Sequence, residues 1–298
     1  VHCVVPPHPA ALFVTNKLGA DVGTVIVYGL MVGLMASLVG GPLFLKLLGN
    51  RLPFKPVPAE FSDLKVREEH TLPSLGATLF TVLLPIALML VKTIAELNMA
   101  KDGTLYTLLE FIGNPITAMF IAVFVAYYLL GIRQHMGMGA MLTHTEHGFG
   151  SIANILLIIG AGGAFGAVIG ASGISTAIVD VMQSWSIPVI LLGFLMSQCL
   201  RIGLGSITVS IVTASAVLAP VASQLGASPV LVGLAICCGG IGLGLPNDSG
   251  FWTICKMSGL STKQAFLVYP IPTLISGLVG LAVLLILNMF ASSLPGLM

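Results

Sequence analysis

The positions of the charged residues constrain this chain more than any other feature. Asp21 and Lys46 enclose 24 uncharged residues, Glu69 and Lys92 enclose 22, and Glu110 and Arg133 enclose 22. Each interval is the length at which one α-helix, rising ~1.5 Å per residue, crosses ~30 Å of hydrocarbon. The spacing predicts spanning helices near 22–45, 72–92 and 110–131, with a last one near 266–290. Composition agrees: charged residues make up 8 % of the 298, hydrophobic ones make up 56 %, and the mean hydropathy is +1.05. A soluble domain carries about 25 % charge. The chain therefore reads as an all-α, polytopic membrane protein. That excludes a cytosolic enzyme and a disordered protein, and a net charge of +1 offers no basic face to a nucleic acid. The five cysteines, four of them in apolar runs, read as small hydrophobes rather than a disulfide framework.

The longer uncharged intervals are interrupted. Between Glu146 and Asp180 the run carries a Gly160-Ala-Gly-Gly163 cluster. Two readings are open. The cluster is the tip of a re-entrant hairpin over 150–173, or the whole run is one glycine-rich helix. Between Arg201 and Asp248, Pro220 and the stretch 226–229 divide the run into segments near 204–222 and 229–245. Lys46, Arg51, Lys55, Lys65 and Arg67 crowd into 46–73, which the positive-inside rule places in the cytoplasm. His135, His144, Glu146 and His147 lack the order of a metal-binding motif and read as a solvated connector.

Three places hold polar groups where hydrocarbon makes them costly. Arg201 follows an apolar run and precedes Gly203, Gly205, Ser206 and Thr208. A charge at the centre of a spanning helix costs about 2.5–3.5 kcal/mol. The stretch predicts a discontinuous helix that presents Arg201, hydroxyls and freed N–H groups to an anion, against the alternative of an arginine snorkelling to the interface. Asn247, Asp248 and Ser249 interrupt the next apolar run, either as a buried break or as an exposed turn capping the helix that follows. Near the start, His2 and His8 flank a proline-rich break, in which either a histidine titrates near neutral pH or the segment is a capped surface loop.

An internal repeat links two of these breaks. Pro7-His-Pro9, Leu18-Gly-Ala-Asp21, Tyr28 and Ser37-Leu-Val-Gly40 parallel Pro246-Asn-Asp248, Ser258-Gly-Leu-Ser261, Tyr269 and Ser276-Gly-Leu-Val-Gly280, at an offset of about 240 residues. Paired interrupted segments are the mark of a transporter built from repeats, with cargo bound where the breaks meet. The sequence carries no Walker motif, dinucleotide fingerprint or nucleophile elbow. An intramembrane enzyme lacks its catalytic constellation here. A channel is the remaining rival to an ion-coupled carrier.

Four motifs occur in a fixed order: His2-x-x-x-Pro6-Pro-His-Pro9, Ile158-Ile-Gly-Ala-Gly-Gly163, Arg201-x-Gly-x-Gly205-Ser-x-Thr-Val209 and Asn247-Asp-Ser-Gly-Phe-Trp252. The ordered set, spread over nearly the whole chain, resembles the gluconate:proton symporter (GntP) family. The resemblance implies a membrane transporter of inverted repeats, with a re-entrant hairpin at 150–173 and discontinuous helices near 201–208 and 244–250. It implies that 1–45 end a first repeat that is largely missing, that 46–147 are a cytoplasmic loop and connector or scaffold helices, and that 148–298 are the second repeat. The chain would then be the C-terminal two thirds of a member.

The implied function is proton-coupled symport of gluconate or a related sugar acid across the bacterial inner membrane. The carrier would be a multi-pass homodimer with no cofactor beyond the coupling proton and no metal. The alternative is a carrier of D-serine or another small carboxylate, with sodium as a rival coupling ion. Carried over onto matching positions, the substrate site comprises His8, Gly160, Gly162, Gly163, Arg201, Ser206, Thr208, Asn247, Asp248 and Ser249, and Asp248 or His8 takes the proton. Three positions depart from the family pattern. Leu245-Pro246 stands where a histidine often precedes the Asn-Asp pair, Gly166 where a lysine often follows the hairpin phenylalanine, and Ala10-Ala11 where the proline-rich motif usually continues. These changes weigh against gluconate itself, and not against a small hydroxylated or amino carboxylate.

Overall fold

The structure, a computed structural model, describes residues 2–48, 72–99, 103–172, 188–224 and 227–297. All regular structure among the described residues is helical. After a short turn at His2–Val4 come α1 (Pro9–Leu18) and α2 (Val22–Leu38), which winds on through a π-helical turn containing Pro42 to Leu48. Next are α3 (Leu75–Asn98), α4 (Thr104–Gly113), α5 (Pro115–Ala126, continued to Gln134) and α6 (Met138–Ala171). The last part holds α7 (Val189–Leu204), α8 (Ile207–Gln224), α9 (Pro229–Ile241), α10 (Ser249–Met257), α11 (Thr262–Val268) and α12 (Pro270–Met289).

Among the described residues, four helical stretches are long and apolar enough to span a bilayer: Val22–Leu48, Leu75–Glu96, Pro115–Gln134 and Thr262–Met289. The first three overlap the intervals that the charge spacing marks out, and the fourth overlaps the last expected span, near 266–290. Their outer faces are apolar; on α2, Leu30, Leu34 and Leu38 are each about half exposed, a surface that only lipid or another apolar partner solvates well. The basic loop expected in the cytoplasm lies almost wholly outside the described residues.

The chain divides into two compact units, residues 1–63 with 157–298, and residues 64–156. In the second unit α3 packs against α4 and α5. The first unit is organised around α9. Every residue from Val230 to Ile241 is buried, by α7, α8, α12 and α1. The sequence explains this position: Val230-Leu-Val-Gly-Leu-Ala-Ile-Cys-Cys-Gly-Gly-Ile241 has no polar side, and a helix that is apolar all round belongs in the middle of a bundle.

Within this unit the breaks match at the offset seen in the sequence. α1 begins at Pro9 and α10 at Ser249. The left-handed corners Gly19 (φ 69°) and Gly259 (φ 59°) follow. The next helices are capped by Asp21 and Ser261. Each pair is separated by 240 positions. The long helices of the two segments also touch, with Ser276 Oγ donating to the Ala36 carbonyl at 3.3 Å.

One expectation is corrected. The backbone through Gly160, Gly162 and Gly163 is helical and α6 runs unbroken to Ala171, so these glycines form no hairpin tip. Glycine weakens a helix by only about 1 kcal/mol relative to alanine, and apolar flanks such as Ile152–Ile159 carry the helix across the cluster. The reading of one glycine-rich helix describes the segment up to Ala171; the remainder of the interval, 173–187, lies outside the described residues.

Candidate functional site

The site is built where two helices stop. α7 ends because Gly205 takes the left-handed conformation (φ 69°, ψ 4°), and α8 starts two residues later. A side chain at Gly205 would strike Asn247, whose backbone carbonyl oxygen lies 2.4 Å from the position of a Cβ. The glycine is thus required twice, for its φ and for the close approach of the second break. That second break, 242–248, follows α9 and leads into α10.

Two backbone N–H groups freed in 242–248 are collected by side chains from neighbouring helices. Leu243 N–H donates to Gln198 Oε1 at 3.2 Å and Gly244 N–H to Thr273 Oγ1 at 3.3 Å. Asn247 Nδ2 donates to the Ile202 and Gly203 carbonyls at 2.9 and 3.3 Å, supplying partners for the open C-terminal end of α7. The Trp252 indole N–H donates to the Pro246 carbonyl at 2.7 Å. Backbone groups that leave the helical ladder at the breaks are thus satisfied by protein side chains.

Arg201 sits in the last turn of α7, fully buried. Its Nη1 donates to the Gly205 carbonyl at 2.5 Å, and its Nη2 donates to Asp248 Oδ2 and, at 3.3 Å, to the Tyr269 hydroxyl. Tyr269 in turn donates to Asp248 Oδ2. The other carboxylate oxygen, Oδ1, accepts the Gly250 N–H at 2.9 Å at the start of α10. The two readings of Asp248 are therefore both met: one oxygen serves the helix start and the other the buried arginine. Phe251, fully buried, packs edge-on against Phe266 and Tyr269 at 5.2 and 6.3 Å between ring centroids, which fixes the tyrosine ring. Three buried polar atoms on α7 have no hydrogen-bond partner among the described residues: Ser197 Oγ, Gln198 Nε2 and Arg201 Nε.

The residues singled out in the sequence divide accordingly. Arg201, Asp248 and Asn247 come together. Ser206 lies beside them, but its hydroxyl caps α8, accepting the Val209 N–H at 3.4 Å. Thr208 is half-buried in the first turn of α8 and Ser249 is exposed; neither bonds to the arginine group. His8 is half-buried, accepts the Ala10 N–H on Nδ1 at 3.3 Å and stands edge-on to His2. No hydrogen bond or ion pair among the described residues joins it to Arg201 or Asp248. Gly160, Gly162 and Gly163 lie within α6. Tyr269, bonded to both Arg201 and Asp248, and Gln198, bonded to Leu243, are not among the candidates singled out in the sequence. Tyr269 stood in the sequence only as a repeat marker, and the Ser197-Gln198 pair, a polar interruption three to four residues before Arg201, was the available signal for the second.

The family model for GntP family permeases matches residues 1–290. A D-serine transporter of Escherichia coli (strain K12) is 62 % identical over 283 residues, covering 95 % of this chain and 64 % of the relative. A gluconate permease of Pseudomonas aeruginosa is 35 % identical over 292 residues (97 % and 65 %), and a high-affinity gluconate transporter of Escherichia coli K12 is 31 % identical over 288 (97 % and 65 %). The chain thus spans a little under two thirds of the length of these relatives. No solved structure matches it.

Proposed function

This chain belongs to the GntP permease family, and from that premise we propose that it forms part of a carrier of D-serine or a closely related small carboxylate, with gluconate the lesser candidate. As a member of that family it is a multi-pass transporter of the bacterial inner membrane and not an enzyme. The observation that carries the proposal is the buried Arg201, held at a helix break where a carboxylate already sits against it. A buried guanidinium makes strong, charge-assisted hydrogen bonds to a carboxylate, and it is through Arg201 that the cargo carboxylate is held. The choice of D-serine rests on the 62 % identity to a D-serine transporter against 31–35 % to carriers of gluconate. The family-pattern positions that this chain lacks, at Leu245-Pro246 and Gly166, point the same way.

The coupling ion in this proposal is the proton, taken by His8 at the first break so that Asp248 keeps its charge, and the whole carrier is a homodimer. Asn247 holds the second break in place rather than reaching the cargo. The test is uptake of labelled D-serine by proteoliposomes of the whole transporter under an inside-alkaline gradient, with D-gluconate as competitor and choline replacing sodium. Accumulation that collapses with a protonophore, ignores choline replacement and resists D-gluconate supports the reading. Accumulation of gluconate without D-serine, or dependence on sodium, overturns the cargo or the coupling respectively.

A further inference from the structure

The buried ion pair has the charge pattern of a zwitterion turned inside out. Building on the small-amino-carboxylate reading above, we propose that the cargo is recognised by inserting into the Arg201–Asp248 pair. Its carboxylate replaces Asp248 on Arg201, and its ammonium replaces Arg201 on Asp248 and Tyr269. An exchange of this kind leaves each buried charge matched before and after binding. A carboxylate without an ammonium would take Arg201 and strand Asp248, which then needs a proton from elsewhere; breaking a buried pair by withdrawing one partner is strongly unfavourable.

Four observations support the exchange. Arg201 is fully buried and Asp248 is 8 % exposed, so water compensates neither charge well. The unpartnered donors Arg201 Nε and Gln198 Nε2, with Ser197 Oγ, lie along the same stretch of α7, where an entering carboxylate would supply the missing acceptors. Tyr269 already donates to Asp248 and accepts from Arg201, so its hydroxyl keeps the carboxylate company when the guanidinium is taken. The two partners are also mounted differently. Arg201 is tied to its own helix end through the Gly205 carbonyl, whereas Asp248 sits at the end of the irregular stretch 242–248.

The experiment compares D-serine with two near-isosteres in proteoliposomes of the whole transporter. D-glycerate carries a hydroxyl in place of the ammonium, and serinol carries a hydroxymethyl in place of the carboxylate. Against labelled D-serine, each is expected to compete about a hundredfold more weakly than unlabelled D-serine, the loss typical of leaving one buried charge unmatched. Asp248→Asn is expected to weaken D-serine by about a hundredfold and to invert the preference in favour of D-glycerate. D-glycerate competing within about threefold of D-serine in the unmodified protein, or an Asp248→Asn variant that still prefers D-serine, overturns the insertion. If that variant is inactive towards both, N-acetyl-D-serine and D-serine methyl ester decide in the unmodified protein: exclusion of both supports the proposal, and competition by either overturns it. Absence of any D-serine uptake defeats the cargo reading itself, whereas equal handling of D-serine and D-glycerate defeats only the insertion.

Discussion

Two glycines separated by one residue, Gly203 and Gly205, should respond to alanine in opposite directions. Gly203 lies inside α7 with nothing within 4 Å of where a Cβ would be placed. Alanine there removes backbone freedom from the unfolded chain and improves helix propensity, a gain of about 0.5–1 kcal/mol. Gly205 has φ 69°, and a Cβ would lie 2.4 Å from the Asn247 carbonyl oxygen and 2.7 Å from its carbon. The left-handed conformation costs an L-residue about 1–2 kcal/mol. The backbone of Asn247 cannot rotate away as a flexible side chain would, so overpacking adds about 1–3 kcal/mol. Together these give a loss of roughly 2–5 kcal/mol for Gly205→Ala. The measurement is the thermal unfolding midpoint of each purified variant in detergent. At about 2–4 °C per kcal/mol for a chain of this size class, Gly205→Ala should fall by about 5 °C or more and Gly203→Ala should hold or rise. Uptake should fail with Gly205→Ala, because moving Asn247 moves Asp248 beside it. Equal midpoints for the two variants would refute the argument that the breaks are locked together by contact at Gly205.

Other outcomes follow from the same geometry. Arg201→Gln should abolish uptake while leaving the protein inserted in the membrane, measured by transport and by membrane fractionation; normal uptake would remove Arg201 from the site. Tyr269→Phe deletes the donor to Asp248 and should reduce D-serine affinity by about tenfold, in line with ~1–3 kcal/mol for a buried unmatched acceptor, as read in a competition curve. Trp252→Phe removes the indole hydrogen bond to the Pro246 carbonyl and should cost about 1 kcal/mol of stability, with a far smaller effect on D-serine affinity than Tyr269→Phe. Gly40→Ala brings a Cβ within 2.1 Å of Ser276 Oγ and should loosen the packing of α2 against α12, seen as a lower unfolding midpoint that Ser276→Gly partly restores.

Charge spacing made the spanning helices legible because burying an unmatched charge in lipid is the largest local penalty the chain can incur. The same penalty exposed Arg201 and Asp248 as residues worth following. Their direct pairing was not legible, since 47 positions separate them and only the meeting of two helix ends brings them together. Tyr269 was hidden for a different reason. A tyrosine in an apolar segment has the same local pattern whether its hydroxyl faces lipid headgroups or a buried carboxylate. The misplaced hairpin at Gly160–Gly163 shows the limit of reading glycine as a breaker, because a cluster of small residues is equally the mark of a helix that needs close neighbours. His8 and Asn247 were correctly placed at breaks, but their side chains serve backbone groups, a use that spacing alone does not separate from cargo binding.

The Arg201–Asp248 pair also has an electrical consequence. One positive and one negative charge sum to zero, and a zwitterion inserted between them adds zero. The empty and the loaded site would then present the same net charge to the membrane field. Moving one elementary charge across the membrane is worth about 2.3 kcal/mol per 100 mV, and an assembly of zero net charge carries no net charge across. Any sensitivity of D-serine uptake to voltage would therefore count the coupling ions alone, making a current recording a direct reading of stoichiometry.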